Sequence, residues 1–160
     1  MQLDSIALAG DEVSLTYRQL VCAADESVRD LPGRCHVLFA ADNTLESVML
    51  YVGMLRNGVV PLVVRPGSPL SQLEELVRAY EPPFLVLDEP SADALLDEHP
   101  EYGSIAKRGG YRIVCTGHAP APLHDDLALL LTTSGSTGTP KFVRLSYGNI
   151  RSNALQIAEY

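Results

Sequence analysis

Leu129-Leu-Leu-Thr-Thr-Ser-Gly-Ser-Thr-Gly-Thr-Pro-Lys-Phe-Val-Arg-Leu145 sets an apolar run against a loop of hydroxyls and glycines. The loop closes on Pro140-Lys141 before a second apolar run. Five Ser/Thr and two Gly fill the seven positions from Thr133 to Thr139. Core packing has no use for such a cluster, whereas an anion does. Glycines let backbone N–H groups approach closely, hydroxyls donate further hydrogen bonds, and a lysine supplies the counter-charge. A Ser/Gly-rich stretch standing alone reads first as a linker. This one is pinned between Leu127 to Thr132 and Phe142 to Leu145, two runs that read as strands, and a linker needs no such frame.

The spacing excludes the GxxxxGK[ST] phosphate loop. The fifth position after Gly135 is Pro140, Lys141 is followed by Phe142, and the exit is an extended segment rather than a helix. A P-loop kinase or GTPase is therefore disfavoured. Thr133-Ser134-Gly135-Ser136-Thr137-Gly138-Thr139-Pro140-Lys141 instead resembles, in full, the phosphate-binding signature of the adenylate-forming superfamily. That superfamily holds acyl-CoA synthetases, the adenylation domains of peptide synthetases and luciferase-like enzymes.

Three further segments resemble the same family in the same order. They are Ser14-Leu-Thr-Tyr17-Arg-Gln-Leu20, Leu55-Arg-Asn-Gly58-Val-Val-Pro61 and Leu145-Ser-Tyr147-Gly-Asn149-Ile150. Departures lie beside the loop rather than in it. Phe142 stands where a glycine is usual, Tyr147 where a histidine is usual, and Arg65 where an acidic residue is common. These departures leave the subfamily, and with it the acid substrate, open.

Composition is that of a soluble domain, for which a cytoplasmic setting is expected. The 160 residues are 46% apolar, enough for one domain with its own core. Twelve basic against twenty acidic residues give a net charge of −8, which argues against nucleic acid or an anionic membrane as the main partner. Cys22, Cys35 and Cys115 form no CxxC and are odd in number, so free, buried thiols are expected. The first residues lack a basic-then-apolar signal pattern, and no apolar run approaches the roughly 20 residues of a membrane span.

Periodicity predicts an α/β fold with a mostly parallel sheet flanked by helices. Thr16 and Gln19 form a capping box ahead of an apolar stripe through Tyr17, Leu20, Val21, Ala24, Val28 and Leu31. Asn43 with Glu46 predicts a second helix start, and Gly58 its end. Ser68-Pro69 opens a third helix stopped by Pro82-Pro83, and a fourth is expected over 91–98. Strands are expected at Val37 to Ala41, Val59 to Val64, Phe84 to Leu87 and Tyr111 to Cys115, with surface loops over 100–110 and 117–126. Ser146 caps a last helix carrying Ile150, Ala154, Ile157 and Ala158 on one face. That helix reads as cut in mid-run, so residues 1–160 are expected to be the N-terminal portion of an adenylation domain.

The resemblance implies an ATP-dependent ligase. It joins a carboxylic acid to ATP, forms an acyl-adenylate with release of pyrophosphate, and passes the acyl group to a thiol of CoA or a carrier protein. Thr133, Ser134, Gly135, Ser136, Thr137, Gly138, Thr139 and Lys141 are then the nucleotide-binding residues, and the Thr137 hydroxyl is the nearest candidate for Mg²⁺. The remainder of the domain is implied as a partner, because the family's adenine, ribose and catalytic-lysine segments would lie after Tyr160. No catalytic residue falls within 1–160, and these residues alone are expected to be inactive. Two alternatives stay open: a non-catalytic phosphate-binding or interaction module retaining the fold, and an unrelated nucleotide-binding α/β domain.

Other chemically suggestive residues read as structural. His36, His99, His118 and His124 have no metal-ligand spacing. Asp125-Asp126 reads as a solvated turn. Asp42 and Asn43 sit at a strand's carboxyl end, where α/β ligands bind, yet helix capping accounts for Asn43. Tyr147 reads equally as a packing residue.

Overall fold

A computed structural model describes residues 3–10, 13–133 and 141–159; the side chains of Thr133 and Lys141 lie outside the description. An antiparallel hairpin, β1 (Ile6–Ala9) and β2 (Ser14–Thr16), leads into α1 (Tyr17–Ser27). Then β3 (His36–Ala40), α2 (Leu45–Arg56), β4 (Val60–Val64), α3 (Leu70–Tyr80), β5 (Phe84–Asp88) and α4 (Glu89–Glu98) alternate. They are followed by β6 (Gly103–Arg108), β7 (Tyr111–Cys115), β8 (Leu127–Thr133), β9 (Lys141–Ser146) and α5 (Tyr147–Ala158).

Among the described residues the main sheet has seven strands in the order β6-β7-β5-β3-β4-β8-β9. The inner four, β5, β3, β4 and β8, are parallel. Antiparallel partners flank them, β7 and β6 on one side and β9 on the other. This is the mostly parallel α/β architecture the alternating pattern predicts.

Strand β3 shows why its run is continuously apolar. Leu38 and Ala40 join the core under α3 and α4, with Leu73, Leu76, Ala92 and Leu95. Val37 and Phe39 join the opposite core with Val28, Leu50 and Met54. A sheet covered on both faces must be apolar at successive positions. The α1–α2 layer closes tightly at one point, where a Cβ on Gly53 would stand 2.2 Å from the carbonyl oxygen of Ala24.

Helix starts follow local hydrogen-bonding chemistry. The capping box expected at Thr16 forms, its hydroxyl accepting from Gln19 N–H, and the cap expected at Ser146 is a second such box, accepting from Asn149 N–H. The second helix corrects the expectation at Asn43, because Thr44 is its N-cap and accepts from Ser47 N–H. Asp42 explains the shift, since its carboxylate accepts the Thr44 N–H at 2.8 Å and holds a turn ahead of the helix. Helix α3 begins at Leu70 after Pro69, with no side-chain cap. It ends on Glu81 in the left-handed conformation (φ 46°), ahead of the two prolines. Helix α4 starts two residues before its expected position, capped by Asp88.

Two further expectations are corrected, and one element is added. The 100–110 stretch is not all loop, since β6 occupies Gly103–Arg108 and turns into β7 through Gly109 (φ 56°) and Gly110. Its exposed edge position lets it form with little apolar content. The β1–β2 hairpin is an addition, short and half-exposed. The cysteines are free, but only Cys35 is buried; Cys22 is exposed and Cys115 half-buried.

Candidate functional site

The hydroxyl- and glycine-rich stretch joins β8 to β9. These strands pair antiparallel from Leu127↔Ser146 through Thr132↔Phe142 to Thr133↔Lys141, so the stretch starts where the last rung ends. Because β8 is parallel to β4, that rung lies at the carboxyl edge of the four inner strands, where open α/β sheets bind ligands. Ser134, Gly135, Ser136, Thr137, Gly138, Thr139 and Pro140 lie outside the described residues, with the side chains of Thr133 and Lys141. The sequence-expected phosphate ligands and the Thr137 metal assignment therefore fall there.

The described polar groups of this edge are largely engaged with one another. Asp42 N–H donates to Ser47 Oγ at 3.0 Å, and the Asp42 carboxylate accepts from the backbone and hydroxyl of Thr44. Burial pushes the Asp42 carboxyl upward, but the Thr44 bonds, with smaller help from Tyr111 and Ser47, outweigh it and hold it below its ordinary value. Tyr111 is buried beside this group, without a hydrogen bond of good geometry for its hydroxyl. Its pKa is raised, first by burial. Across the edge, Asp88 accepts from Ser91 N–H at 3.2 Å and Ser91 Oγ at 2.8 Å. Asp42 through Oδ1 thus holds a local turn and Asp88 through Oδ2 caps α4, while Arg65 leaves β4 exposed at the same edge.

The remaining suggestive residues are scattered. Asp125 and Asp126 are exposed in a turn, as expected. His36 is buried with Nε2 2.8 Å from the Tyr80 carbonyl oxygen. His124 Nδ1 accepts from Asp126 N–H, and His118 N–H donates to Thr116 Oγ1. His99 lies between two carboxylates, Nδ1 3.0 Å from Glu101 and Nε2 3.3 Å from Glu74, with its ring stacked on Tyr102. Among the described residues no cluster of three or more His, Cys, Asp or Glu is placed to hold a metal. No described helix is long and apolar enough to cross a membrane.

Sequence reasoning missed the residues at the opposite, amino end of β8. From there a cleft of about 620 Å³ runs along the hairpin, from His124 and Asn149 past Leu130 and Arg144 to Phe142, with Tyr80 on its wall. Phe142 meets Tyr80 edge-on at 4.9 Å, tying the hairpin to the end of α3. Arg34 and Tyr147 reach across the same end to backbone carbonyls. Long-range pairing of this kind leaves no local pattern.

The family described as AMP-binding enzyme matches residues 1–160. The chain belongs to the AMP-binding enzyme family. As a chain of that family, it is 29% identical to malformin synthetase mlfA of Aspergillus sclerotiicarbonarius over 164 residues, covering 96% of the chain and 3% of that protein. It is 35% identical over 123 residues to an L-proline--[L-prolyl-carrier protein] ligase of Pseudomonas fluorescens, covering 71% of the chain and 25% of the ligase. The fold is similar to that of apo MatB from Rhodopseudomonas palustris, with TM-score 0.74 and 24% identity over 99% of the chain and 34% of MatB. It is also similar to apo MbtA from Mycobacterium smegmatis, with TM-score 0.71 and 26% identity over 98% of the chain and 33% of MbtA. This AMP-binding chain thus spans about a third or less of the length of the proteins it matches.

Proposed function

We propose that the chain is the N-terminal, phosphate-gripping portion of an ATP-dependent carboxylic acid ligase. In this reading the ligase forms an acyl-adenylate, releases pyrophosphate and passes the acyl group to a thiol. One observation carries the proposal: in a chain of the AMP-binding family, the signature Thr133 to Lys141 is slung between β8 and β9 at the carboxyl edge of the parallel strands. The carrier-protein ligase among its relatives supports a carrier-protein thiol as acceptor.

The chemical problem is the approach of a carboxylate to the α-phosphorus of a polyanion. Holding the two in line and dispersing charge on the departing pyrophosphate meets it. Backbone N–H groups and hydroxyls from Thr133 to Gly138 donate to the β- and γ-phosphates, and Lys141 adds positive charge. Mg²⁺ suits this donor set, hydroxyl and phosphate oxygens being hard ligands; Thr137 would be its protein contact, and the ion would neutralise phosphate charge.

The decisive assay is carboxylate-dependent exchange of labelled pyrophosphate into ATP by the full gene product. Lys141→Ala and Thr137→Ala are each expected to cut the exchange rate by roughly a hundredfold or more. Residues 1–160 alone are expected to give none. A full gene product that binds ATP yet catalyses no exchange with amino, fatty or aryl acids would favour a non-catalytic phosphate-binding module instead.

A further inference from the structure

Along its length the β8–β9 hairpin is held by the sheet, with Ala128 and Leu129 buried, and by Phe142 against Tyr80. Strand β8 meets β4 in register at Leu62↔Leu130 and Val63↔Leu131, β9 is the sheet's edge, and α5 behind it buries none of its side chains. At the amino end of β8, four segments are joined by hydrogen bonds. The guanidinium of Arg34, half-buried just ahead of β3, donates from Nη1 to Gly58 O at 3.1 Å. Its Nη2 donates to Leu127 O at 2.9 Å, to Asp125 O at 3.2 Å and to His124 O. Tyr147 N–H donates to Asp126 O at 3.1 Å, and its phenol donates to Leu55 O at 2.9 Å. Leu55 belongs to the last turn of α2, where Asn57 N–H takes Gly53 O and Val59 N–H takes Met54 O, and the phenol takes the next carbonyl.

We infer that Arg34 and Tyr147 are positioning residues for nucleotide binding: together they fix the base of the β8–β9 hairpin to the α2–β4 corner, and so set the orientation of the two strands whose far ends meet at the Thr133↔Lys141 rung. Four features support a positioning role over simple surface decoration. Arg34 takes no carboxylate among the described residues; its Nη1 and Nη2 donate to four carbonyls, while its buried Nε finds no partner. Those carbonyls belong to two separate segments, the Gly58 corner and the 124–127 turn. Tyr147 is the first residue after β9, so its two bonds fix that strand's exit. A paired antiparallel ribbon transmits the orientation of one end to the other through its ladder.

The inference rests on the ligase reading, and its test separates the two. In the full gene product, Tyr147→Phe removes one hydroxyl and keeps the ring, while Arg34→Gln and Arg34→Lys grade the loss of donors. Pyrophosphate exchange is expected to show KM for ATP rising roughly threefold to tenfold in Tyr147→Phe and Arg34→Gln. KM for the acid and the thermal midpoint should stay near wild type, with Arg34→Lys recovering part of the loss. Amide hydrogen exchange over 127–133 and 142–146 should accelerate in the same variants. Unchanged KM for ATP, or both KM values worsening in step with the thermal midpoint, overturns the inference. Unchanged hydrogen exchange overturns it too, by a measurement independent of activity. A wild type without pyrophosphate exchange defeats the ligase reading, and hydrogen exchange then still decides whether the junction holds the hairpin.

Discussion

Gly53 on α2 faces the carbonyl oxygen of Ala24 on α1 with no room for a methyl group; a Cβ there would lie 2.2 Å from that oxygen and 2.9 Å from the carbonyl carbon. Both contacts are backbone, so neither helix can yield by rotating a side chain. Gly53→Ala is expected to destabilise the fold by about 1–3 kcal/mol, despite alanine's better helix propensity. Urea unfolding measures it, and a midpoint equal to wild type would show that the helices separate freely.

His99 is placed to make stability depend on pH. A neutral imidazole donates through one nitrogen only, whereas both ring nitrogens here face carboxylates. Its pKa is raised, first by the Glu101 hydrogen bond, against some loss from burial, with Glu74 adding to the rise. The folded form therefore binds the proton more tightly than the unfolded chain. That stabilisation is complete below the unfolded imidazole pKa and is lost as pH climbs through the folded one. The thermal midpoint of wild type relative to His99→Gln should narrow between roughly pH 6 and 8, and a difference that does not change with pH would refute it.

The thiols should react in order of exposure. Cys22 is exposed, whereas Cys35 is buried and burial pushes its thiol up to about 11. Thiolate is the reactive form, so a maleimide or disulfide reagent at pH 8 should label Cys22 in the native protein and Cys35 only after unfolding. Mass spectrometry of the digested adducts reads this directly.

Asp25 and Arg56 join α1 to the end of α2 through two bonds, Nε–Oδ1 at 2.9 Å and Nη2–Oδ2 at 3.1 Å. The Arg56 hydrogen bond is the first cause of the lowered Asp25 pKa, opposed by burial and helped by Asn57. Both side chains are nearly half exposed, so solvent screens the pair. A double-mutant cycle should return a coupling of about 0.5–1 kcal/mol, shrinking in roughly 1 M salt. A coupling unaffected by salt would mean that packing of the arginine stem, not charge, holds the helices.

Thr16 offers the simplest local test. Its hydroxyl accepts the Gln19 N–H at 3.3 Å, and Gln19 Oε1 accepts the Thr16 N–H at 2.9 Å. Thr16→Ala should cost about 1 kcal/mol in chemical unfolding, with Thr16→Ser close to neutral.

Much of this architecture was legible where one residue's chemistry decides a local event. The capping box at Thr16, the cap at Ser146, the apolar runs of β3 and β4, and the prolines after α3 each act within a few positions. Asn43 misled because Asn-Thr offers two adjacent cap formers, and the choice of Thr44 depends on the Asp42 side chain folding back. Strand β6 was hidden because none of its residues is buried, so neither face demands an apolar alternation, although Gly109-Gly110 signalled the turn. At the site, the loop announced itself through composition alone. Arg34 and Tyr147 did not, since their partners lie far along the chain and are carbonyls, which every residue possesses.

The sheet's mixed directions also bear on how the protein comes to be folded. Antiparallel β8 and β9 find each other across a short connection, whereas Leu130 must meet Leu62 across more than a third of the chain. Local ribbons close quickly, and distant parallel pairings wait on loop-closure entropy. The hairpin can therefore assemble as a unit before the strand it docks against is in place, and β4 receives it as a finished piece. Docking of the β8–β9 hairpin onto β4 is in this way a late event in folding, coupled to completion of the core rather than to its nucleation.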